Sequence, residues 1–327
     1  MLAHWDDVEP WRRDQGHLRG LWRDLGRAAG SVTVGLRRIE VDPGAWSTPA
    51  HVHGREEEIF YVLGGSGLSW QDGTTHEVGA GDCLVHLANR EAHTLHAGDE
   101  GLDVLAFGQR AGDEAAYLPR AGVLWLANHY VLAGPADRRP WQFEADAGPP
   151  PLPAEPSPRP PTIVRVADVE PDDAAGDPPG YESEWRRPAG AAGSQRTGLS
   201  HIRLEPGALS CPHHCHGAEE ELFVMLEGDG TLELLPALRE EEPEQREVPV
   251  RAGHVVSRPA GTRVAHAFRA GPGGLTLLAY GTREPNDVAY YPRSNKVYLR
   301  GVGLMTRAEP LDYWDGEAGE RERTPLP

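Results

Sequence analysis

Short apolar runs recur along the chain, broken at close intervals by Gly, Pro and Asp; SVTVGLRRIEV (residues 31–41), EIFYVL (58–63) and LDVLAFG (102–108) are examples. Where polar and apolar residues alternate, the period is two, which places one face of a strand on a core and the other toward water. The spacing predicts many short strands and few helices. One segment, DQGHLRGLWRDLGRA (residues 14–28), has the makings of one helical turn or two, although its glycines weaken a helix. The pattern reads as all-β, and it occurs twice.

The duplication is explicit. HVHGREEEIFYVLGG (His51–Gly65) returns as HCHGAEEELFVMLEG (His214–Gly228), identical at nine of fifteen positions with a constant offset of 163. The same offset carries LRRIEVDPG (36–44) onto LSHIRLEPG (199–207). Farther on the offset is 173, aligning AHTLHAG (92–98) with AHAFRAG (265–271) and YLPRAGVLWL (117–126) with YYPRSNKVYL (290–299). The extra residues fall near PALREEEPEQRE (236–247), whose acidic and proline content suits a solvated hairpin loop. Between the copies runs GPPPLPAEPSPRPP (148–161), extended and semi-rigid by composition. Trp141 and Phe143, just before it, are placed to pin the linker's start to a domain surface. This organisation gives an N-terminal domain at 1–132, a linker at 133–162, a C-terminal domain at 163–310 and a tail at 311–327.

Composition narrows the partners. The formal charge of −18 disfavours nucleic-acid phosphates and anionic membranes. No apolar run approaches the roughly 18–20 residues of a membrane helix. The acidic N-terminus, MLAHWDDVEPW, carries no secretory pattern, and the three cysteines, Cys83, Cys211 and Cys215, form no C-x-x-C pair. These features fit a cytoplasmic protein with a small-molecule substrate or ligand, and they allow a homo-oligomer.

On a strand, His51 and His53 present both imidazoles to one face, and Glu58 meets them from the next strand. His214, His216 and Glu221 repeat the arrangement. Two neutral imidazoles and a carboxylate begin a coordination shell for Fe, Mn, Ni, Cu, Co or Zn. His93 and His266, at one place in the repeat, are candidates for the fourth ligand, with His86 and His96 as alternatives in the first copy. Glu56 shares the face of Glu58, but Glu58 stands seven residues before Gly65 as Glu221 does before Gly228. By strand parity Phe60 and Val62, and Phe223 and Met225, line the space beside each metal. Cys215 points to the opposite face; Cys211 and His213 are loop residues near the second site.

These motifs resemble the cupin superfamily, specifically the two-domain bicupins. The first family motif corresponds to Gly44 through HVHGREEEIFYVLGG and to Gly207 through HCHGAEEELFVMLEG. The second corresponds to RPAGTRVAH (258–266), and in the first copy it is reduced to HLANREAH (86–93) without its proline and glycine. The resemblance implies a double-stranded β-helix, or jelly roll, in each half, with one divalent transition metal inside each barrel. By this measure the second site is nearer the family pattern.

Three histidines and a glutamate leave one or two positions of an octahedral ion open, which favours catalysis over a structural metal. The leading expectation is a dioxygenase-type oxidoreductase acting on a small organic acid, phenol or enolisable carbonyl compound. The alternatives are a non-catalytic metal- or ligand-binding bicupin and a metal-assisted isomerase or decarboxylase. The sequence names no catalytic residue beyond the ligands.

Overall fold

The computed structural model describes residues 1–126, 129–132, 140–173, 177–236, 245–309 and 311–317. Most of the acidic insertion (237–244), the start of the linker (133–139) and residues 318–327 of the tail lie outside them. Each half pairs a large antiparallel sheet with a small four-stranded one, a jelly roll whose two inner faces enclose a core. In the first half the large sheet runs Asp82–His86, Glu58–Gln71, His93–Gln109, Val34–Val41, Leu18–Asp24, Trp11–Gln15. The small sheet comprises Val52–His53, Ala115–Leu118, Val123–Leu126 and His129–Leu132. The second half repeats this order as far as Leu18–Asp24, whose place Ser183–Arg186 takes, with Glu221–Pro236 and Val264–Thr282 as its long central strands.

The segment predicted as helical, residues 14–28, is mostly a hairpin: Trp11–Gln15 pairs with Leu18–Asp24, and one helical turn, Leu25–Ala28, follows. Gly16, at φ 61°, makes the turn, and Leu18, Gly20 and Trp22 are buried at alternate positions. Period two therefore prevails over the helical spacing. The glycine closing each motif has a steric reason. Gly65 (φ 75°) sits at a register shift, and a Cβ there would lie 2.2 Å from the Gly101 carbonyl oxygen. Gly228 repeats it, 2.2 Å from the Gly274 oxygen, so only glycine fits either bulge.

Pleat parity divides the core in three. Phe60, Val62, Ile39 and Val41 point into the first jelly roll, and Phe223, Met225, Ile202 and Leu277 into the second. The opposite faces of the two large sheets pack back to back: Ile59, Tyr61, Leu105 and Phe107 meet Leu222, Val224, Leu278 and Tyr280. Phe107 stacks on its repeat counterpart Tyr280 at 5.1 Å. Each such side chain, fully buried, contributes roughly 1.5–3 kcal/mol, so this shared layer joins the halves strongly.

The halves also exchange strands. Leu2–His4 adds to the second half's large sheet beside His254–Arg258, with Leu2 opposite Val256. Ile163–Arg165, which follows the linker, adds to the first half beside Asp82–His86, with Ile163 opposite Leu84. The proline-rich segment between them straps along the first half, where the Ser157 amide donates to the Thr75 carbonyl at 2.7 Å. Arg159 makes two hydrogen bonds, 2.9 and 2.6 Å, to the fully buried Asp82. The equivalent strand of the second half opens with His254 in the place of Asp82, and His254 packs edge-on against His4 at 5.0 Å.

Candidate metal centre

Four strand ends converge at one end of the first jelly roll. His51 and His93 exchange backbone hydrogen bonds of 3.2 and 2.9 Å across an isolated bridge. His53 lies on the Val52–His53 strand, and Glu58 opens the long strand. The structure thereby gathers His51, His53, Glu58 and His93, with ligand atoms all within 4.8 Å of one another. Glu58 Oε2 is 3.5, 3.8 and 3.0 Å from Nε2 of His51, His53 and His93. In the second half His214, Glu221 and His266 form the same cluster, and His216 Nε2 stands 3.5 Å from Glu221 Oε2.

The second nitrogens fix the rings. His51 Nδ1 donates to the Pro49 carbonyl at 2.9 Å, and His214 Nδ1 to the Pro212 carbonyl at 2.9 Å. His53 Nδ1 faces Glu114 at 3.2 Å, and His216 Nδ1 faces Asp287 at 2.7 Å. With Nδ1 engaged, Nε2 is turned to the centre. In the second cluster Nε2 of His216 and His266 and Oε2 of Glu221 are buried without a hydrogen-bond partner. Buried polar atoms are almost always partnered, so orphans converging on one point fit a cation there. Glu114 and Asp287 escaped the sequence reading, although the offset of 173 aligns them. Each also accepts amide hydrogens from the turn after the His-x-His pair, which sets the approach of that turn.

Electrostatics follows the geometry. Burial alone would raise Glu58, but hydrogen bonds from His51, His53 and His93 hold it well below the usual carboxylate range. Burial pulls the His93 imidazole well down and lowers His266 to about 3. Burial acts against His53 as well, yet its bonds to Glu114 and Glu58 carry it up to about 10. Burial pushes Glu56 and its counterpart Glu219 up to about 7.

The three consecutive glutamates in each motif have three uses. The third is the putting-together point of the imidazoles, and the first accepts a backbone amide of its own half, Ala111 for Glu56 and Glu284 for Glu219. The second crosses between halves. Glu57, 2% exposed, accepts from the amides of Gln195, Arg196 and Thr197 and the hydroxyls of Ser194 and Thr197. Glu220 accepts from the amides of Val32 and Thr33 and the hydroxyls of Thr33 and Ser257.

A cavity of about 430 Å³ opens at the first cluster, lined by His51, His53, Glu58 and Phe60 and walled by Trp11, Trp22, Trp125 and Trp141. Of the four residues expected beside the metals, Phe60 is on this wall. Phe223, its counterpart, lies with its ring 5.3 Å from that of His266, while Val62 and Met225, four residues past the glutamates and with no exposed surface, are packed into the barrel cores. Trp141 stands on the short helix Pro140–Asp146, edge-on to Trp22 at 5.7 Å with the Arg13 guanidinium 4.4 Å from its ring centre. It walls the cavity as well as anchoring the chain ahead of the proline-rich strap. Among the described residues the second large sheet ends at Ser183–Arg186, without a counterpart of the Trp11–Gln15 strand. Of the alternative ligands, His86 lies flat on His93 at 3.8 Å and bonds Glu91, while His96 packs against Trp46. His213 is buried beside Glu233 at 3.0 Å, away from the ligand set, and Cys211 Sγ lies 3.7 Å from His214 Nδ1.

A family model described as Cupin domain matches residues 37–107, the stretch that holds the first cluster. Among solved structures, oxalate decarboxylase from Bacillus subtilis, a DEL162-163 mutant, superposes with a TM-score of 0.56 at 17% identity, covering 86% of this chain and 76% of that one. Oxalate decarboxylase from Lactobacillus farciminis, as a formate complex, gives 0.56 at 17%, covering 86% of each chain. The chain shares the fold of these proteins. No curated protein matches it in sequence. A further Bacillus subtilis oxalate decarboxylase, described with Mn(II) centres, matches at 16% identity with a TM-score of 0.55. At such identities the likeness carries the fold. For this chain the candidate metal clusters and the cavity must carry the chemistry.

Proposed function

We propose that this bicupin is a metal-dependent enzyme that works at its first site, by dioxygenase-type oxidation of a small organic acid, phenol or enolisable carbonyl compound. The observation that supports this is the cavity of about 430 Å³ beside His51, His53 and Glu58, with its four indole walls. A structural ion needs no such space. A divalent transition metal held by His51, His53, Glu58 and His93 supplies Lewis acidity and open positions for oxygen ligands. The chain's own residues do the rest. Pro49 and Glu114 hold the His51 and His53 rings in place, the indoles exclude water, and the Glu56 carboxyl stands on the wall able to hold a proton. The second cluster, with the same ligand types, serves as a supporting metal site.

Decarboxylation is the second reading. The fold neighbours are oxalate decarboxylases, and Glu56 gives the cavity an acid. The test is metal analysis with oxygen uptake and carbon dioxide release over a panel of small acids and phenols. The purified protein is expected to carry one to two equivalents of transition metal. His51→Ala with His53→Ala should abolish both first-site metal and turnover, whereas His214→Ala with His216→Ala should remove only second-site metal. Carbon dioxide release without net oxygen uptake selects decarboxylation. Metal content untouched by both double variants overturns the reading.

A further inference from the structure

The second half carries an arm that its own chain leaves uncovered. Val288–Tyr291, Lys296–Leu299 and Leu304–Arg307 pair in sequence order, and Leu304–Arg307 is the outer edge of the small sheet. From Tyr290 to Glu317 no described residue is buried. The matching stretch of the first half buries Leu118 and Val123, where the offset of 173 places Tyr291 and Lys296 in the second. All four side chains of the edge strand are exposed, Leu304 at 50% and Met305 at 45%, and Val302 in the turn before it is 73% exposed. A hairpin without a backing layer is marginal in water, and an apolar edge is a template for another chain.

Charge is divided along the same stretch. Residues 293–307 hold Arg293, Lys296, Arg300 and Arg307 and no acid, in a chain whose formal charge is −18. Residues 308–317 hold Glu309, Asp312, Asp315 and Glu317 and no base. Among the described residues only Arg300 of these cations reaches a carboxylate, that of Glu219, and none of the four acids reaches a cation. Lys296 rests 5.3 Å from the Tyr291 ring centre, and Arg307 bonds the Ser294 carbonyl at 2.8 Å. The tail closes a turn of its own, with the Asp315 amide donating to the Asp312 carbonyl at 3.1 Å, and leaves Tyr313 and Trp314 84% and 69% exposed. The side chains of Val302, Leu304, Met305, Tyr313 and Trp314 together present on the order of 700 Å² per chain, close to the roughly 800 Å² that one partner gives to a stable interface. A second copy matches the patch in both area and charge. Two-fold symmetry brings arm and tail together twice, because one patch serves both partners.

We propose that two copies of this chain associate through the arm at 293–307 and the tail at 311–317, the acidic aromatic tail of each lying along the basic arm of the other. The arm is rooted at Tyr291, which stacks on His214 at 5.5 Å, so the contact borders the second cluster and uses none of the residues that line the first cavity. The test is sedimentation equilibrium of the full chain over a wide concentration range. A monomer–dimer equilibrium that weakens as salt rises is expected. Lys296→Glu with Arg307→Glu, and separately Asp312→Lys with Asp315→Lys and Glu317→Lys, set like charges against each other, and each variant should weaken association at least about tenfold. An equimolar mixture of the two variants should restore the dimer, since every tail then meets an arm of opposite charge; melting temperature and metal content check that each variant is folded. A full chain that stays monomeric at every concentration overturns the proposal, as does a dimer indifferent to either charge reversal, or a mixture of the variants that does not associate. Protection of Trp314 from a fluorescence quencher that does not change with protein concentration would show the tail folded on its own arm, and overturns it too.

Discussion

At the residue scale a metal bound at the candidate clusters would have to exchange with a proton. His53 is raised to about 10 by Glu114 and Glu58, so at pH 7 the metal-free imidazole carries a proton on each nitrogen. A raised folded value stabilises the metal-free protein below the ordinary histidine value of 6.5, and that stability is lost as pH climbs toward 10. The ion must displace the Nε2 proton. Metal binding should therefore release about one proton from His53 at pH 7, and affinity should rise about tenfold per pH unit between roughly 7 and 10. Calorimetry in buffers of different ionisation heat measures the release, and a binding heat indifferent to buffer would refute it. Glu57 gives a second test at this scale. Its carboxylate serves three amides of the opposite half, so Glu57→Ala strands buried donors and should destabilise the fold by about 3 kcal/mol in denaturant titration. Glu57→Gln, which keeps one acceptor, should lose less.

At the element scale the exchanged strands decide which edge is protected. Leu2–His4 covers the outer edge of His254–Arg258, the strand next to Glu221. Deleting residues 1–7 should expose amides of 254–258 to hydrogen exchange while leaving 82–86, covered by Ile163–Arg165, as slow as before. Equal loss of protection in both strands would contradict the pairing. The hairpin at 11–24 shows why a sequence can mislead over a short range. Leu18, Leu21, Trp22 and Leu25 have a spacing compatible with a helix, but Gly16 turns the chain, and pairing with Val34–Val41 rewards the two-residue period. Tertiary pairing outweighs a weak local propensity.

At the scale of the whole molecule the two halves form one cooperative unit. They share the layer around Phe107 and Tyr280, exchange edge strands, and are tied by Glu57 and Glu220. Urea unfolding should give a single transition. All but two of the nine tryptophans precede residue 150, so fluorescence follows mainly the first half, while circular dichroism follows both. Coincident curves are expected, and two separated midpoints would show independent halves.

The amino-acid order by itself determined the duplication, the strand class and the candidate ligand set at His51, His53, Glu58 and His93, because strand parity and repeat register are local and periodic. The glycines at 65 and 228 were legible as a fixed spacing from their glutamates, and their steric need became visible only against Gly101 and Gly274. What the second glutamate of each motif does was decided by tertiary structure alone. Its partners lie 137–140 residues away for Glu57 and 187–188 for Val32 and Thr33 at Glu220, and no local pattern encodes such a contact. The motif comparison favoured the second site, while a cavity of about 430 Å³ stands at the first. A cavity depends on which walls assemble, and these come from separate stretches, Trp11, Trp22, Trp125 and Trp141, that only the folded chain brings together.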